Sequence, residues 1–314
     1  MMLNMNPKSS NARMSQFTLA VSMVIFGTVP LIRHYIPLSS PLVAFFRGLL
    51  GTLVLLLVML VTHHRFDRKA VQANLWRILL SGALLGLNWI TLFESFRFTT
   101  VSVATLCNNF SPFFVVLIAP FIFKEKLTKD KIVCVIVSAI GILFVSGFLG
   151  DAEIGSLKGV FLALCSAVLY GTIVILNKTI IGVHAYDKTL LQLGACATAL
   201  LPYILLTEKP SSIQLNGFGL AMLIIAGVVH TGIAYVLYFG SMDGMKAQTV
   251  ALMSYIGPSV SLLGSTLLLK EPMTWLQGVG AVLILGTAFF SSLDSSQPSG
   301  ELGGKNEVCP KCNS

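Results

Sequence analysis

Two stretches of this chain are near copies of each other. The first reads Asn109-Phe110-Ser111-Pro112, then an apolar run, then Lys124-Glu125-Lys126-Leu127-Thr128. The second reads Tyr255-Ile256-Gly257-Pro258, an apolar run, then Lys270-Glu271-Pro272-Met273-Thr274. A shift of 146 residues places Pro112 on Pro258, Lys124 on Lys270, Glu125 on Glu271 and Thr128 on Thr274 without a gap. Gly86 and Phe93 fall on Gly232 and Phe239 at the same shift, and Phe26-Gly27-Thr28 falls on Tyr170-Gly171-Thr172 at a shift of 144. An internal repeat restricts the fold more than any single motif does, because each unit must find its partner surface in the other.

The medium in which the repeat folds follows from charge content. Of 314 residues, 55% are hydrophobic and only 11% charged, against about 25% charged in soluble domains. The predicted class is an all-α polytopic membrane protein. A span needs about 20 apolar residues, and ten runs qualify: 17–36, 41–62, 75–96, 101–123, 132–149, 157–180, 189–207, 217–239, 249–269 and 275–293. The first run is too long for a cleaved signal peptide. The predicted organisation is an N-terminal segment (1–16), a five-helix unit (17–149), a linker (150–156), a second five-helix unit (157–293) and a polar Ser/Gly-rich tail (294–314) read as disordered.

Lys and Arg set the orientation. With a cytoplasmic N-terminus, 15 of the 21 fall on the inner side, among them Arg65, Arg68, Lys69, Lys124 and Lys126, and five on the outer side. Both termini are therefore expected in the cytoplasm of a cell-membrane protein, with the linker outside. The net charge of +8 is explained by these inner loops and asks for no nucleic acid. Because each unit holds an odd number of spans, the second enters the bilayer upside down. Inverted repeats are a common device of transporters, which rock two halves about a site at the midplane.

These features carry a resemblance. The two five-span halves, the Phe45-Phe46-Arg47-Gly48 segment, the Pro…Lys-Glu-x-x-Thr endings and the segment Leu87-Asn88-Trp89…Phe93-Glu94-Ser95 resemble the drug/metabolite transporter superfamily, most closely its EamA-type branch. The resemblance spans 17–293. It implies a ten-helix permease handling a metabolite such as an amino acid, sugar, nucleoside or cofactor, more often by export. The second copy departs from the first where Pro272 replaces Lys126.

Charged and polar groups inside a span cost roughly 2.5–3.5 kcal/mol for Arg or Asp on insertion scales, so each needs a reason. Arg47 sits about 9 Å deep at 1.5 Å per residue. Glu94 lies in the outer part of the third span, with Arg97 three residues on along one helix face. Two readings stay open: a fixed Arg47–Glu94 bridge, or a transport role in which Arg47 meets an anionic substrate group or Glu94 takes up a proton. His230, near the middle of the eighth span, is a candidate proton carrier or a neutral ring bonded to a neighbouring helix. Asn88, Asn108 and Asn109 line a cavity or join helices; the last two point about 100° apart, so one of them is expected to face inward. Trp89, Tyr170, Tyr235 and Tyr255 are central aromatics, able to stack on a substrate or simply to pack. Pro112 and Pro258 free a backbone carbonyl and kink their helices, as gates or as packing features. Lys124-Glu125 and Lys270-Glu271 are read as depth anchors at helix ends.

Cys107, Cys134, Cys165 and Cys196 lie in apolar runs as small hydrophobes. Cys309 and Cys312 supply two metal ligands where a closed zinc site wants four. No phosphate-binding loop, His-Glu-x-x-His or Gly-x-Ser-x-Gly occurs. No cofactor, metal or catalytic residue is expected. The partners expected are membrane lipids, a small-molecule substrate and a proton as coupling ion, in a monomer or homodimer. The reading is a secondary transporter. Its alternatives are a nucleotide-sugar or sugar-phosphate exchanger, which would want more cavity-facing Lys/Arg than Arg47, and a membrane-embedded lipid-modifying enzyme, which would want clustered carboxylates or His.

Overall fold

The computed structural model describes residues 7–123, 129–145, 157–208, 215–242, 250 and 253–294. The Lys124-Glu125 copy of the repeated ending, the 150–156 linker and the Cys309/Cys312 tail lie outside them. Among the described residues all regular structure is helical: α1 (Pro7–Arg33), α2 (Ser40–Val61), α3 (Arg68–Ser95), α4 (Val101–Asn108), α5 (Ser111–Phe123), α6 (Lys129–Val145), α7 (Leu157–Thr179), α8 (Ala185–Thr207), α9 (Gly217–Gly227), a π-helical turn (Val228–Ile233), α10 (Ala234–Met242), α11 (Ile256–Leu267) and α12 (Trp275–Asp294). Seven helical stretches are long and apolar enough to cross a membrane, and three shorter apolar helices run over Ile132–Val145, Ile256–Leu267 and Trp275–Thr287. The exterior is oily: Leu60, Leu206, Phe161 and Trp275 are among the large apolar side chains left exposed, as a bilayer-facing surface requires. This is a multi-pass membrane protein.

Several helices begin earlier than their apolar runs. α1 starts at Pro7, ahead of residue 17, and α3 at Arg68, ahead of residue 75. The cause at α3 is local: the Asp67 carboxylate accepts from the Lys69 and Ala70 amides, an N-cap that lets the helix start in polar sequence.

The main core lies between α2, α3 and α8, where Leu55, Leu85, Phe93, Leu193 and Leu200 are buried together. α2 and α8 run antiparallel. Ser39, before α2, donates to Glu208, after α8 (2.5 Å). At the opposite end His64, after α2, meets Asp187 in the first turn of α8 (2.8 Å). Between them Gly48 lies against Leu193 and Ala197.

The repeated glycines show how the halves meet. Gly27 of α1 sits on the backbone of Gly257 in α11, where any Cβ would collide with the carbonyl. Its repeat mate Gly171 of α7 sits on Ser111 at the start of α5, where a Cβ would be 3.2 Å from the Ser111 carbonyl oxygen. Ser111 is in turn the repeat mate of Gly257. The same contact is thus made twice with the halves exchanged, and small residues are what let helix backbones approach so closely in a membrane.

Candidate functional site

Arg47 comes from the middle of α2 and is 5% exposed. Its Nε donates to the Thr231 hydroxyl (3.2 Å). Its Cζ lies 4.2 Å from the Trp89 ring centroid and 5.3 Å from that of Phe93. Both rings are on α3, four residues apart, so one helix face supplies a two-ring seat for the cation. No carboxylate reaches Arg47 among the described residues; the two ion pairs there are His64–Asp187 and Arg97–Glu94.

The Arg47–Glu94 bridge is therefore not formed. Glu94 is taken by Arg97 Nη1 (2.7 Å) and by the Ser40 hydroxyl (3.0 Å). The i,i+3 spacing on one helix face explains the choice: Arg97 is local, whereas Arg47 would have to leave its aromatic seat.

His230 and Thr231 sit in the π turn. Its wider winding leaves carbonyls that side chains satisfy: the Thr231 hydroxyl donates to Ala226 O (2.9 Å) and His230 Nδ1 to Ile225 O (3.2 Å). Nε2 of His230 faces the Thr28 hydroxyl on α1 at 3.0 Å. That hydroxyl is also 2.8 Å from Ile25 O. With a neutral ring the hydroxyl donates to Nε2; with a protonated ring Nε2 donates and the hydroxyl turns to Ile25 O. Both protonation states are fully bonded without moving a heavy atom. π turns of this kind are frequent at functional sites.

Tyr235, on the next turn, packs edge-on to Phe26 (5.1 Å) and parallel to Phe239 (5.9 Å). Arg47, Tyr170, Tyr238 and Cys196 are its titratable neighbours. The structure thus gathers Arg47, Trp89, His230 and Tyr235 around the π turn, with Thr28, Phe93 and Thr231 completing the group.

The family comparison bears on what such a group is for. The model of the EamA-like transporter family matches residues 13–147 and again residues 157–293. The chain belongs to the EamA-like transporter family. A Bacillus subtilis (strain 168) protein named "Uncharacterized transporter YxxF" is 28% identical over 268 residues, 85% of each chain. A Salmonella typhimurium protein named "Probable amino-acid metabolite efflux pump" is 24% identical over 199 residues, 60% of this chain and 66% of its own. A solved crystal structure shares the fold at a TM-score of 0.60, with 20% identity over 90% of this chain and 97% of the other.

The remaining predicted residues of this EamA-like transporter are placed elsewhere. Asn88 donates to the Ser166 carbonyl and hydroxyl (2.8 Å each), and the Ser166 hydroxyl donates to Asn108 (2.7 Å). Asn88 and Asn108 thus join α3 and α4 to α7. Asn109, half-buried, donates back to Thr105 O (2.8 Å). Tyr255 packs beside Phe110 and Phe113. Pro112 and Pro258 do not kink continuous helices. The chain turns at 109–110 and again at 254–255, and each proline lies in the first turn of the helix that follows, where its missing N–H needs no partner. The apolar run 101–123 is consequently two helices, α4 and α5.

Glu271 has a role that its position at a helix end does not reveal. Lys270 adopts a left-handed backbone (φ 52), which reverses the chain after α11, and the Glu271 amide closes the turn on Ser265 O (3.2 Å). The Glu271 carboxylate then accepts from the Val101 (2.9 Å) and Ser102 (3.2 Å) amides of α4. Thr274 and Gln277 form a capping box at the start of α12. The Lys-Glu-x-x-Thr ending is thus a turn, a cross-half contact and a helix start. A depth anchor at a helix end accounts for the turn but not for the cross-half contact, since nothing local points to α4, 170 residues away.

Proposed function

We propose that this protein is a secondary transporter that moves a small metabolite with an anionic group, such as an amino acid or related compound, across the cell membrane by alternating access. The observation that carries the reading is Arg47: a buried cation seated on Trp89 and Phe93, with one hydroxyl partner and no carboxylate in reach among the described residues. A charge left uncompensated inside a membrane protein is costly, and an anionic substrate group supplies the missing partner. Trp89 and Tyr235 offer faces for the apolar part of the substrate, and His230 is the coupling-proton carrier.

Ten spans in two inverted five-helix units, with both termini cytoplasmic, complete the proposal. The antiparallel α2 and α8 support it, since they are second spans of their units and align under the repeat. So does the exchanged Gly27/Gly171 contact. Export as the direction rests on the name of the Salmonella relative.

Reconstituted vesicles loaded with a panel of carboxylate metabolites, with and without a pH gradient, test the reading. Transport of at least one carboxylate by the native chain, lost in Arg47→Ala, is the expected result. Transport of only cationic or neutral compounds, indifferent to Arg47→Ala, would discard it.

A further inference from the structure

Glu271 does something its neighbours on the helix end do not. α4 opens with three amides that have no partner in their own helix, at Val101, Ser102 and Val103. The Thr100 hydroxyl accepts from Val103, and Glu271 accepts from the other two. A carboxylate from the second half therefore completes the start of a helix in the first, where the helix dipole also favours negative charge.

The seam continues inward in hydroxyls. Ser102 bonds Ser265, and one turn deeper Thr105 bonds Ser261 (3.2 Å). At the corresponding repeat positions the sequence has Gln248 for Ser102, Ala251 for Thr105, Val115 for Ser261 and Ala119 for Ser265. By residue type the hydroxyl ladder is not repeated at those positions. It differs from the α2–α8 seam, which has polar pairs at its two ends but an interior filled by Leu55, Leu193 and Leu200. Parting an apolar seam exposes hydrocarbon to water. Leu262 packs against the cluster of Val103 and Leu106 here, but parting the hydroxyls, amides and carboxylate of the seam exposes groups that water satisfies, so their share of the cost is small. α4 is also a separate eight-residue helix, joined to α5 only through the 109–110 turn.

We infer that Glu271 is a releasable latch: its contact with the start of α4 closes this end of the transport pathway, and its release, with hydration of the Ser102–Ser265 and Thr105–Ser261 pairs, opens it. The inference rests on the alternating-access reading above, in whose orientation this is the external end. Glu271 is a positioning residue; it acts through α4 and does not touch substrate.

The test uses the full chain in sealed vesicles with Thr105→Cys as reporter, and a membrane-impermeant thiol reagent added to one face at a time. Mass spectrometry reads modification at position 105 separately from the native cysteines. Glu271→Gln keeps the size and removes the charge; Glu271→Ala removes both. The expected result is a rise of about tenfold in modification from the external face in Glu271→Gln, since charge-assisted hydrogen bonds are the stronger kind, with a partial return in Glu271→Asp. A rise from the opposite face would uphold the latch and overturn the orientation. Unchanged rates from both faces in Glu271→Gln would overturn the latch. Because Glu271→Gln is nearly isosteric, it decides the matter even if Glu271→Ala does not fold, and no substrate needs to be known.

Discussion

Arg47 and Trp89 face each other across α2 and α3, with the guanidinium carbon 4.2 Å from the ring centroid. Trp89 belongs to the main core with Phe93 and Leu193, and Phe93 is the second ring within reach of Arg47. A cation held by aromatic faces keeps most of its hydrogen-bonding capacity free, whereas one locked to a carboxylate does not.

Arg47→Met should therefore separate folding from transport. Burying a charge without a carboxylate partner is costly, so an apolar side chain of similar length removes a destabilising group from the core. The thermal midpoint in detergent should hold or rise while anion transport is lost. A midpoint that drops sharply would mean that Arg47 is structural.

Trp89→Leu leaves the charge in place and removes its seat. Cation–π contacts in desolvated sites are worth about 2 kcal/mol. KM for the anionic substrate should rise by roughly tenfold or more, on a scale where 1.4 kcal/mol is tenfold. Uptake kinetics over a substrate series measure it.

His230→Gln keeps a hydrogen-bonding side chain toward Thr28 but cannot carry a proton. Transport in this variant should lose its response to an imposed pH gradient while exchange at equal pH persists. If the variant responds to the gradient as the native chain does, proton coupling lies elsewhere.

Asn88→Leu should behave oppositely to Arg47→Met. It breaks the Asn88–Ser166–Asn108 chain and leaves buried polar groups unmet, costing roughly 1–3 kcal/mol. The thermal midpoint should fall, with KM little changed in the protein that remains folded.

Gly27→Leu and Gly171→Leu test the exchanged contact. Each forces a side chain onto a facing helix start, and overpacking costs about 1–3 kcal/mol. Gly27→Leu should be the more damaging, because its Cβ would lie 2.4 Å from the Gly257 carbonyl oxygen against 3.2 Å from that of Ser111 at Gly171. Denaturation midpoints of the two variants decide.

The sequence by itself determined the medium, the helical class, the repeat and its register, because length of apolar run and spacing of Pro112 and Pro258 are local quantities. It also pointed to Arg47, Trp89, His230 and Tyr235, since polar or aromatic groups deep in a span are visible without a partner. What only the tertiary structure decided was who meets whom. Glu94 goes to Arg97 and leaves Arg47 on its rings; Asn88 and Asn108 converge on Ser166; the prolines open new helices after a break; and Glu271 reaches across to α4. Apart from the local Glu94–Arg97 pair, these outcomes depend on which helix faces come within about 3 Å of each other, and that distance is set by packing between segments 58 to 170 residues apart, on which local spacing carries no information.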